Sequence, residues 1–230
     1  MSCSTRLPRW PCGSSSSKIA HRCRRDSSPC LSGSANVTAV PSSPATLFIA
    51  RHGETVDNAS GLILGRRDPP LSDVGREQSA RLAEQAAALG VVALWSSPLL
   101  RARQTATIVA EAIGVAVTIL DDLIESDRGT WEGQSVTQIA EVSPELHAAF
   151  EAGAENFAFP GGEALLDQVE RTRKALDVVA SGPGPPLVVA HAGTIRAALI
   201  AIGRAVPPER EVPHGEVTLL RRAPSGRLIR

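Results

Sequence analysis

The stretch of sequence that decides the fold is TLFIARHGET, residues 46–55. Its first five residues are mostly apolar, and Arg51, His52 and a glycine follow them directly. A short apolar run bounded by a glycine predicts a buried strand. Ligands of open α/β sheets bind at the carboxyl ends of the strands, so this strand is expected to bring a guanidinium and an imidazole to one point. We therefore expect residues 51–53 to form one wall of an anion site.

Charge is segregated along the chain. The 230 residues have a formal net charge of zero, and 43% are apolar, which is enough for a core. Residues 1–44 contain six basic residues and one acid, which leaves 18 of the 24 basic and 23 of the 24 acidic residues in 45–230, a net charge of −5 there. Nothing in this balance points to nucleic acid or a membrane surface as a partner. No apolar run approaches the roughly 20 residues that span a bilayer, and we expect a cytoplasmic protein.

Residues 1–44 form a basic tail rich in Ser, Pro and Arg, without apolar periodicity. Such a segment cannot bury enough surface to offset its ordering entropy, so disorder is predicted. All four cysteines lie in this tail, which leaves residues 45–230 without a disulfide or a cysteine nucleophile. Three interpretations are open: a transit peptide, a metal site that lacks the usual close cysteine pairs, and an over-extended gene start with the functional protein beginning near Val37 or Val40. We favour the last.

From Thr46 onward, short apolar runs alternate with helical stretches. Strands are predicted at residues 46–50, 91–95, 115–119, 186–190 and 216–220. Helices are predicted at residues 72–89 with Ser72 as N-cap, 98–113 beginning at Pro98, 163–180 and 193–203. This alternation predicts an α/β three-layer sandwich over residues 45–230, with a mostly parallel central sheet flanked by helices. Residues 121–160 interrupt it and are expected to be an excursion that covers the site, with Trp131 and three phenylalanines packing inside it.

Charged and titratable side chains follow four of the predicted strands. In chain order they are Arg51 and His52, Arg101, Glu125, and His191. They are expected to converge on one edge of the sheet, where helix N-termini after Pro98 and Gly193 add backbone N–H groups that favour an anion. The fork of an arginine binds two phosphate oxygens at once, so the anion is expected to be a phosphoryl group.

Phosphoryl transfer through histidine is the chemistry that this set supports. A neutral imidazole is a competent nucleophile near pH 7, and a cation beside it can stabilise the charge of the transferring group. Glu125 could protonate the leaving oxygen. The sequence contains no H-x-x-x-H pair, no Asp cluster and no Walker loop, so we expect neither a metal nor a cofactor.

Five segments together resemble the histidine phosphatase superfamily, in its phosphoglycerate mutase-like branch. They are RHGET at 51–55 followed by Asn58, Gly65, PLS at 70–72 and Gly75; SSPLLRARQTA at 96–106; LIE at 123–125 with Gly129 and WEG at 131–133; PGGE at 160–163; and VAHAG at 189–193. The similarity runs over residues 46–200 in the family's order. It implies the phosphoglycerate mutase-like form of the sandwich.

The resemblance also implies a role for each matched residue. The implied nucleophile is His52, the proton donor is Glu125, and the phosphoryl group is bound by Arg51, Arg101 and His191, with Asn58 and Gly193 as further substrate-binding residues. The chain departs from the family at Ser126-Asp127-Arg128, which is more polar than usual, and at Ala164, where members often have serine. These departures bear on substrate fit.

The resulting expectation is a phosphatase that hydrolyses a small phosphomonoester through a phosphohistidine on His52. The alternatives are a phosphoglycerate mutase-type phosphotransferase and a non-catalytic phosphate-binding module. Mutases of this type usually carry a longer excursion and lack the PGGE turn, so residues 121–162 favour hydrolysis. Sugar phosphates, an α-ribazole-type nucleotide and a phosphoprotein are all open as substrates, and both a monomer and a homodimer are open as assemblies.

Each of these residues also has a plainer interpretation. His52 and His191 could be structural, and Asn58 could be an ordinary turn residue. Several neighbours rival the implied residues: Arg103 for the role of Arg101, and Asp121, Asp122, Asp127 and Glu132 for the role of Glu125. The remaining histidines, His21, His147 and His214, have no supporting context and are expected to be structural or on the surface.

Overall fold

The computed structural model describes residues 46–222 and 228–229, so the predictions for the tail lie outside the described residues. The described strands are β1 (Thr46–Arg51), β2 (Ala93–Ser96), β3 (Val117–Ile119), β4 (Pro186–Ala190), β5 (Val217–Arg222) and β6 (Leu228–Ile229). The described α-helices are α1 (Val56–Ala59), α2 (Asp73–Ala88), α3 (Leu100–Ile113), α4 (Val136–Val142), α5 (Pro144–Ala152), α6 (Leu165–Ser181) and α7 (Ala192–Ala201). Short 3-10 turns lie at Asp121–Leu123, Gly129–Trp131 and Glu209–Glu211.

The strands form one mixed sheet in the order β3-β2-β4-β1-β5-β6. Parallel pairs join β3 to β2, β2 to β4 and β4 to β1, whereas β5 is antiparallel to β1 and β6 is antiparallel to β5. The predicted α/β class with a mostly parallel sheet is therefore confirmed. The predicted strands at 91–95 and 115–119 each begin two residues early, since pairing starts at Ala93 and Val117.

Helices cover both faces of the sheet, which makes the three layers. On β1, Leu47 and Ile49 belong to a buried cluster with side chains of α6 and α7. The alternate residues, Phe48 and Ala50, belong to a second cluster with side chains of α2 and α3. Successive strand residues point to opposite faces, so an entirely apolar strand is the sequence that a sheet buried on both sides needs.

Two helix starts show how caps set the ends of the elements. Ser72 caps α2 as predicted, because its hydroxyl accepts a hydrogen bond from the N–H of Gly75 at 3.0 Å. The prediction that α3 begins at Pro98 is wrong, since the helix begins at Leu100. The Leu100 N–H donates to the carboxylate of Asp68 at 2.7 Å, so a residue 32 positions away supplies the cap.

The excursion at 121–160 contains α4, α5 and two of the 3-10 turns. A third buried cluster holds it together, formed by Ile63, Trp131, Ile139, Phe150, Phe157, Phe159 and Leu165. Trp131 meets Phe150 and Phe159 edge to face, with ring centroids 5.8 and 5.5 Å apart. The expected packing role of these aromatic residues is confirmed. No helix among residues 46–222 is long and apolar enough to cross a membrane.

Candidate active site

The site lies at the carboxyl ends of β1, β4 and β2, which are neighbours in the sheet. Backbone pairing continues one residue past each end: the His52 N–H donates to the Ala190 carbonyl at 2.9 Å, and the Ser97 N–H donates to the Val189 carbonyl at 3.0 Å. The parallel register thus brings the residues that follow three distant strands to one edge. This is the convergence that the alternating pattern predicted.

A close approach of two glycines holds the loop after β1 against the start of α2. A Cβ atom on Gly53 would overlap the backbone carbonyl of Gly75, and a Cβ on Gly75 would overlap the backbone carbonyl of Glu54. The Gly53 N–H donates to the hydroxyl of Thr105 on α3 at 3.0 Å. The backbone beside His52 is therefore clamped between two helices.

His52 is buried and has hydrogen-bond partners on both ring nitrogens. Nδ1 lies 2.7 Å from the carbonyl of Gly53, which can only accept, so Nδ1 carries the proton. Nε2 lies 3.1 Å from Nε of Arg101, which can only donate, so Nε2 carries a lone pair. Burial, and then the charge of Arg101, hold the pKa of His52 well below its ordinary value. The imidazole is therefore neutral and presents Nε2 as a potential nucleophile.

Arg101 is the arginine that reaches His52, and its predicted rival Arg103 is exposed. The guanidinium also donates to the carbonyls of Arg67 and Gly65, at 2.6 and 2.9 Å. Burial lowers the pKa of Arg101 to about 10, so it stays charged at neutral pH. These two carbonyls hold the cation beside His52.

Arg51 points to the segment that precedes β5. Its Nη1 donates to the Val212 carbonyl at 2.7 Å, and its buried Nε has no hydrogen-bond partner in the described part of the chain. Burial lowers the pKa of Arg51 from its ordinary value. A buried N–H group without a partner, on a residue that lines a cavity, is available to a ligand.

His191 caps the start of α7 and faces His52, with ring centroids 5.2 Å apart. Its Nε2 lies 2.7 Å from the hydroxyl of Ser97. Its buried Nδ1 has no partner among the described residues. Burial, and then the charge of Arg101, hold the pKa of His191 well below its ordinary value, so this ring is neutral too.

Glu125 is buried beside the two histidines and is bound on several sides. It accepts hydrogen bonds from the N–H groups of Ser126 at 2.8 Å and Gly193 at 3.1 Å, and from the amide of Gln168 at 3.0 Å. Of its rivals, Asp121 and Asp122 are exposed, Asp127 caps the Gly129 N–H, and Glu132 accepts from the N–H groups of Arg66 and Arg128. Glu125 is therefore the acid that the fold brings to the site.

Arg128 forms an ion pair with Glu125 inside the protein. Its Nη2 lies 3.4 Å from a carboxylate oxygen of Glu125, and its Nη1 lies 2.7 Å from one of Glu209. Burial by itself would raise the pKa of Glu125, but the guanidinium of Arg128, helped by the other donors around the carboxylate, outweighs burial and holds this pKa well below its ordinary value. Glu125 is therefore ionised in the ligand-free protein.

These side chains open into a cavity of about 440 Å³. Of the predicted site residues, the cavity is lined by Arg51, His52, Asn58, Arg101 and Glu125, and the ring of His191 packs edge to face against that of His52. Gly193 is different, because its N–H is donated to Glu125 and so is not free for a ligand. Asn58 also has a structural role at the start of α1. Its side-chain oxygen accepts hydrogen bonds from the N–H and the hydroxyl of Thr55 in the capping box of this helix.

Sequence reasoning missed several residues of the site. His214, expected to be structural or on the surface, lines the cavity: its Nδ1 donates to the His52 carbonyl at 2.9 Å, and the two rings meet edge to face at 5.5 Å. Burial, and then the charge of Arg51, lower the pKa of His214 to about 4. His147 also lines the cavity. The signal for His214 was its place just before a strand that pairs with β1.

Comparisons with known proteins identify the family of the chain. A family model described as the histidine phosphatase superfamily, branch 1, matches residues 47–230. The bifunctional protein Rv2228c of Mycobacterium tuberculosis is 36% identical over 162 residues, which are 69% of this chain and 44% of that protein. The probable phosphoglycerate mutase GpmB of Erwinia tasmaniensis is 33% identical over 147 residues, which are 63% of this chain and 68% of that protein.

Solved structures with the same fold include a phosphatase. A mycobacterial glucosyl-3-phosphoglycerate phosphatase, Rv2419c, in complex with VO3 matches with a TM-score of 0.68 and 29% identity, over 76% of this chain and 90% of that chain. TTHB049 from Thermus thermophilus matches with a TM-score of 0.61 and 33% identity, over 77% of this chain and 99% of that chain. The chain spans less than half of the mycobacterial bifunctional protein and nearly all of these two solved chains.

Proposed function

The chain belongs to the histidine phosphatase superfamily, and we propose that it is a metal-independent phosphatase that hydrolyses a phosphomonoester through a phosphohistidine on His52. The observation that carries this proposal is the state of the His52 ring. The carbonyl of Gly53 holds the proton on Nδ1, and the lone pair of Nε2 lies against Arg101 in a cavity. A neutral imidazole with its free nitrogen beside a cation is arranged to attack phosphorus.

The proposed reaction has two steps. In the first, Glu125, which is ionised in the ligand-free protein, must take up a proton from solvent. Nε2 of His52 then forms a bond to phosphorus, the bond to the leaving oxygen breaks, and Glu125 gives that oxygen the proton. In the second, water attacks the phosphohistidine, Glu125 takes the proton from the water, and inorganic phosphate leaves. The same carboxyl group thus acts as acid and then as base.

Three groups are proposed to bind the phosphoryl oxygens. The Nε–H of Arg101 donates a hydrogen bond to His52 in the ligand-free protein. When a phosphoryl group enters between the two side chains, the same N–H can donate to a phosphoryl oxygen. The partnerless Nε of Arg51 and Nδ1 of His191 supply two further donors, since buried polar groups in native sites usually have partners. Asn58 is proposed to assist from α1, through the amide nitrogen that the capping box does not use.

The pairing of charged groups in the cavity supports hydrolysis over a phosphoglycerate mutase-type transfer, whereas the named relatives include both kinds of enzyme. A mutase must hold the carboxylate of phosphoglycerate as well as a phosphoryl group. Among the residues that line this cavity, however, Arg128 is paired with two glutamates, and His147 lies 3.8 Å from Glu151. A solved relative with 29% identity is a phosphatase, whereas curated relatives with 33% identity are named as probable mutases. Phosphotransfer therefore stands as the alternative, and a non-catalytic phosphate-binding module as a third.

Replacing His52 tests the nucleophile. The wild-type protein is expected to hydrolyse p-nitrophenyl phosphate without added metal, and His52→Ala should fall to the background rate because the nitrogen that forms the phosphoenzyme is gone. Arg103→Ala, an exposed change two residues beyond Arg101, is the control and should keep wild-type activity. Quenching during turnover should trap acid-labile, base-stable phosphate on His52. Equal rates in His52→Ala and the wild type would rule out this nucleophile.

A panel of phosphometabolites separates hydrolysis from transfer. Release of inorganic phosphate is expected from a small phosphomonoester, and 3-phosphoglycerate supplied with its bisphosphate should give little 2-phosphoglycerate. Rapid interconversion of the two phosphoglycerates would favour the mutase alternative. The cytoplasmic location, the monomeric or homodimeric assembly, and the absence of a cofactor, nucleic-acid partner or membrane partner stay predictions.

A further inference from the structure

We propose that Arg128, held between Glu209 and Glu125, is a positioning residue that sets the protonation of the proposed proton donor and so the pH range of phosphoryl transfer. This inference rests on the proposed function, because it concerns the step in which Glu125 protonates the leaving oxygen. It begins from a conflict in the site. A proton donor must carry a proton, yet an arginine lies 3.4 Å from its carboxylate.

Arg128 differs from the other cations near Glu125 because the closest partners of its guanidinium are two carboxylates. The guanidinium groups of the others donate hydrogen bonds to backbone carbonyls: Arg101 from α3 to those of Gly65 and Arg67, Arg51 from β1 to that of Val212, and Arg196 from α7 to those of Phe150 and Glu151. The carboxylates near Arg101 and Arg196 lie farther away, Asp68 at 3.6 Å and Glu209 at 3.9 Å. In the part of the chain that the structure describes, Arg128 is the arginine within ion-pair distance of Glu125. The other groups around the carboxylate are uncharged: the N–H groups of Ser126 and Gly193, the amide of Gln168 from α6, and the neutral ring of His191 at the start of α7.

Glu209 competes with Glu125 for the same guanidinium. It comes from the 3-10 turn before β5 and lies 2.7 Å from Nη1 of Arg128, closer than Glu125 lies to Nη2. The same carboxylate oxygen is 3.9 Å from Arg196. The charge of Arg128 is thus divided between two acids. One of them is the proposed proton donor, and the other lines the cavity but has no step in the proposed reaction.

The surroundings of Arg128 make this division effective. The side chain is 1% exposed, and its guanidinium lies 5.3 and 5.0 Å from the ring centroids of Phe150 and Phe159. Ion pairs are stronger in such a poorly solvated setting than at the surface. An opposite charge within about 4–6 Å lowers a carboxyl pKa by about 1–3 units. The pair therefore decides at which pH Glu125 holds the proton that the leaving oxygen needs.

The sign of the effect follows from this role. A general acid works only while protonated, so activity falls as the pH rises through its pKa. Replacing Arg128 by a neutral residue raises that pKa and moves this basic limb to higher pH. Replacing Glu209 by glutamine removes a nearby negative charge and the competing partner of Arg128. Both changes lower the pKa of Glu125, so the basic limb moves to lower pH. A purely structural role would lower the rate at every pH and leave the limb in place.

The experiment measures kcat/KM against pH for two phosphates of similar size. Benzyl phosphate has an alcohol leaving group that needs a proton, whereas p-nitrophenyl phosphate leaves as a stable anion and does not. With benzyl phosphate, Arg128→Met should move the basic limb up by about one to three pH units, and Glu209→Gln should move it down. With p-nitrophenyl phosphate, the basic limb should stay in place in both variants. Arg173→Met, on the exposed side of α6, is the matched control and should leave both profiles as in the wild type.

Each outcome decides the inference. Opposite shifts in Arg128→Met and Glu209→Gln, seen with benzyl phosphate alone, support it. Turnover of p-nitrophenyl phosphate with unmoved benzyl phosphate limbs overturns it and leaves the proposed function standing. A wild-type protein that hydrolyses neither phosphate overturns both. If Arg128→Met does not fold, Glu209→Gln decides alone at neutral pH, on the basic side of the limb. There, a lower kcat/KM for benzyl phosphate with an unchanged value for p-nitrophenyl phosphate supports the inference, and unchanged values for both overturn it.

Discussion

At the scale of single residues, Ser97 decides which proton His191 can offer. The hydroxyl of Ser97 accepts from the Leu99 N–H at 3.4 Å and lies 2.7 Å from Nε2 of His191. While it accepts from that N–H, the hydroxyl still has its own proton, which it can donate to Nε2. The proton of the neutral imidazole then sits on Nδ1, which has no partner among the described residues. His191 can therefore donate to a phosphoryl oxygen although it is uncharged.

Removing this hydroxyl should weaken catalysis without removing any group that binds substrate. Ser97→Ala is expected to lower kcat/KM for p-nitrophenyl phosphate about tenfold, because one buried hydrogen bond is worth about 1–3 kcal/mol and its loss frees the imidazole to change tautomer. Steady-state kinetics and inhibition by vanadate measure the effect. Ser96→Ala is the matched control, since the buried hydroxyl of Ser96 donates to a backbone carbonyl and not to a histidine. An equal loss in both variants would contradict the role of Ser97.

At the scale of elements, the start of α2 and the loop after β1 meet through bare backbone. Gly75 lies in the first turn of α2, against the carbonyl of Glu54, and Gly53 lies against the carbonyl of Gly75. Because neither position has room for a side chain, the helix start comes close enough to support the loop that carries His52. The position of His52 therefore depends on the packing of two elements.

A methyl group at Gly75 should test whether the start of α2 holds the His52 loop in place. Alanine in a helix is favoured over glycine by about 1 kcal/mol, but overpacking against backbone costs about 1–3 kcal/mol, so Gly75→Ala should destabilise the protein and displace His52. The midpoint of thermal unfolding and kcat for p-nitrophenyl phosphate should both fall. Gly182→Ala, where the new Cβ would meet its nearest atom at 3.4 Å, is the control and should change little. An active, stabilised Gly75→Ala protein would contradict the close packing.

At the scale of the whole molecule, the site buries three neutral histidines, His52, His191 and His214. Each has a pKa in the folded state below the ordinary value of 6.5. In the unfolded chain the same histidines take up protons as the pH drops below 6.5, while in the folded protein they stay neutral. Unfolding is therefore favoured by acid, and the stability that comes from neutral histidines is complete only above that pH.

The free energy of unfolding should consequently fall between pH 6.5 and pH 5. Each histidine contributes at most about 1.4 kcal/mol per pH unit, so the three together give a slope of up to about 4 kcal/mol per unit. Urea unfolding at a series of pH values measures this slope. His214→Asn should reduce it by about a third, since the pKa of His214 is about 4 and it stays neutral in the folded protein throughout this window. A free energy that is constant from about pH 7.5 to about pH 5 would show that the histidines are not held neutral.

The local pattern of residues was sufficient for much of this architecture. Apolar runs of five residues place the strands because a sheet covered on both faces needs apolar side chains in both directions, as β1 shows. Element ends were less predictable. The start of α3 depends on the distant carboxylate of Asp68, which no pattern near Pro98 reveals.

The sequence by itself determined the fold class, the strand that leads to His52, and the order in which Arg101, Glu125 and His191 reach the same sheet edge. Residue type and short-range spacing carry that information, because strand ends in a parallel sheet share one edge. Only the tertiary structure decided the tautomer of His52, the entry of His214 into the site, and the pairing of Glu125 with Arg128 and Glu209. These depend on contacts between segments that are far apart in the chain or whose side-chain directions are set by packing.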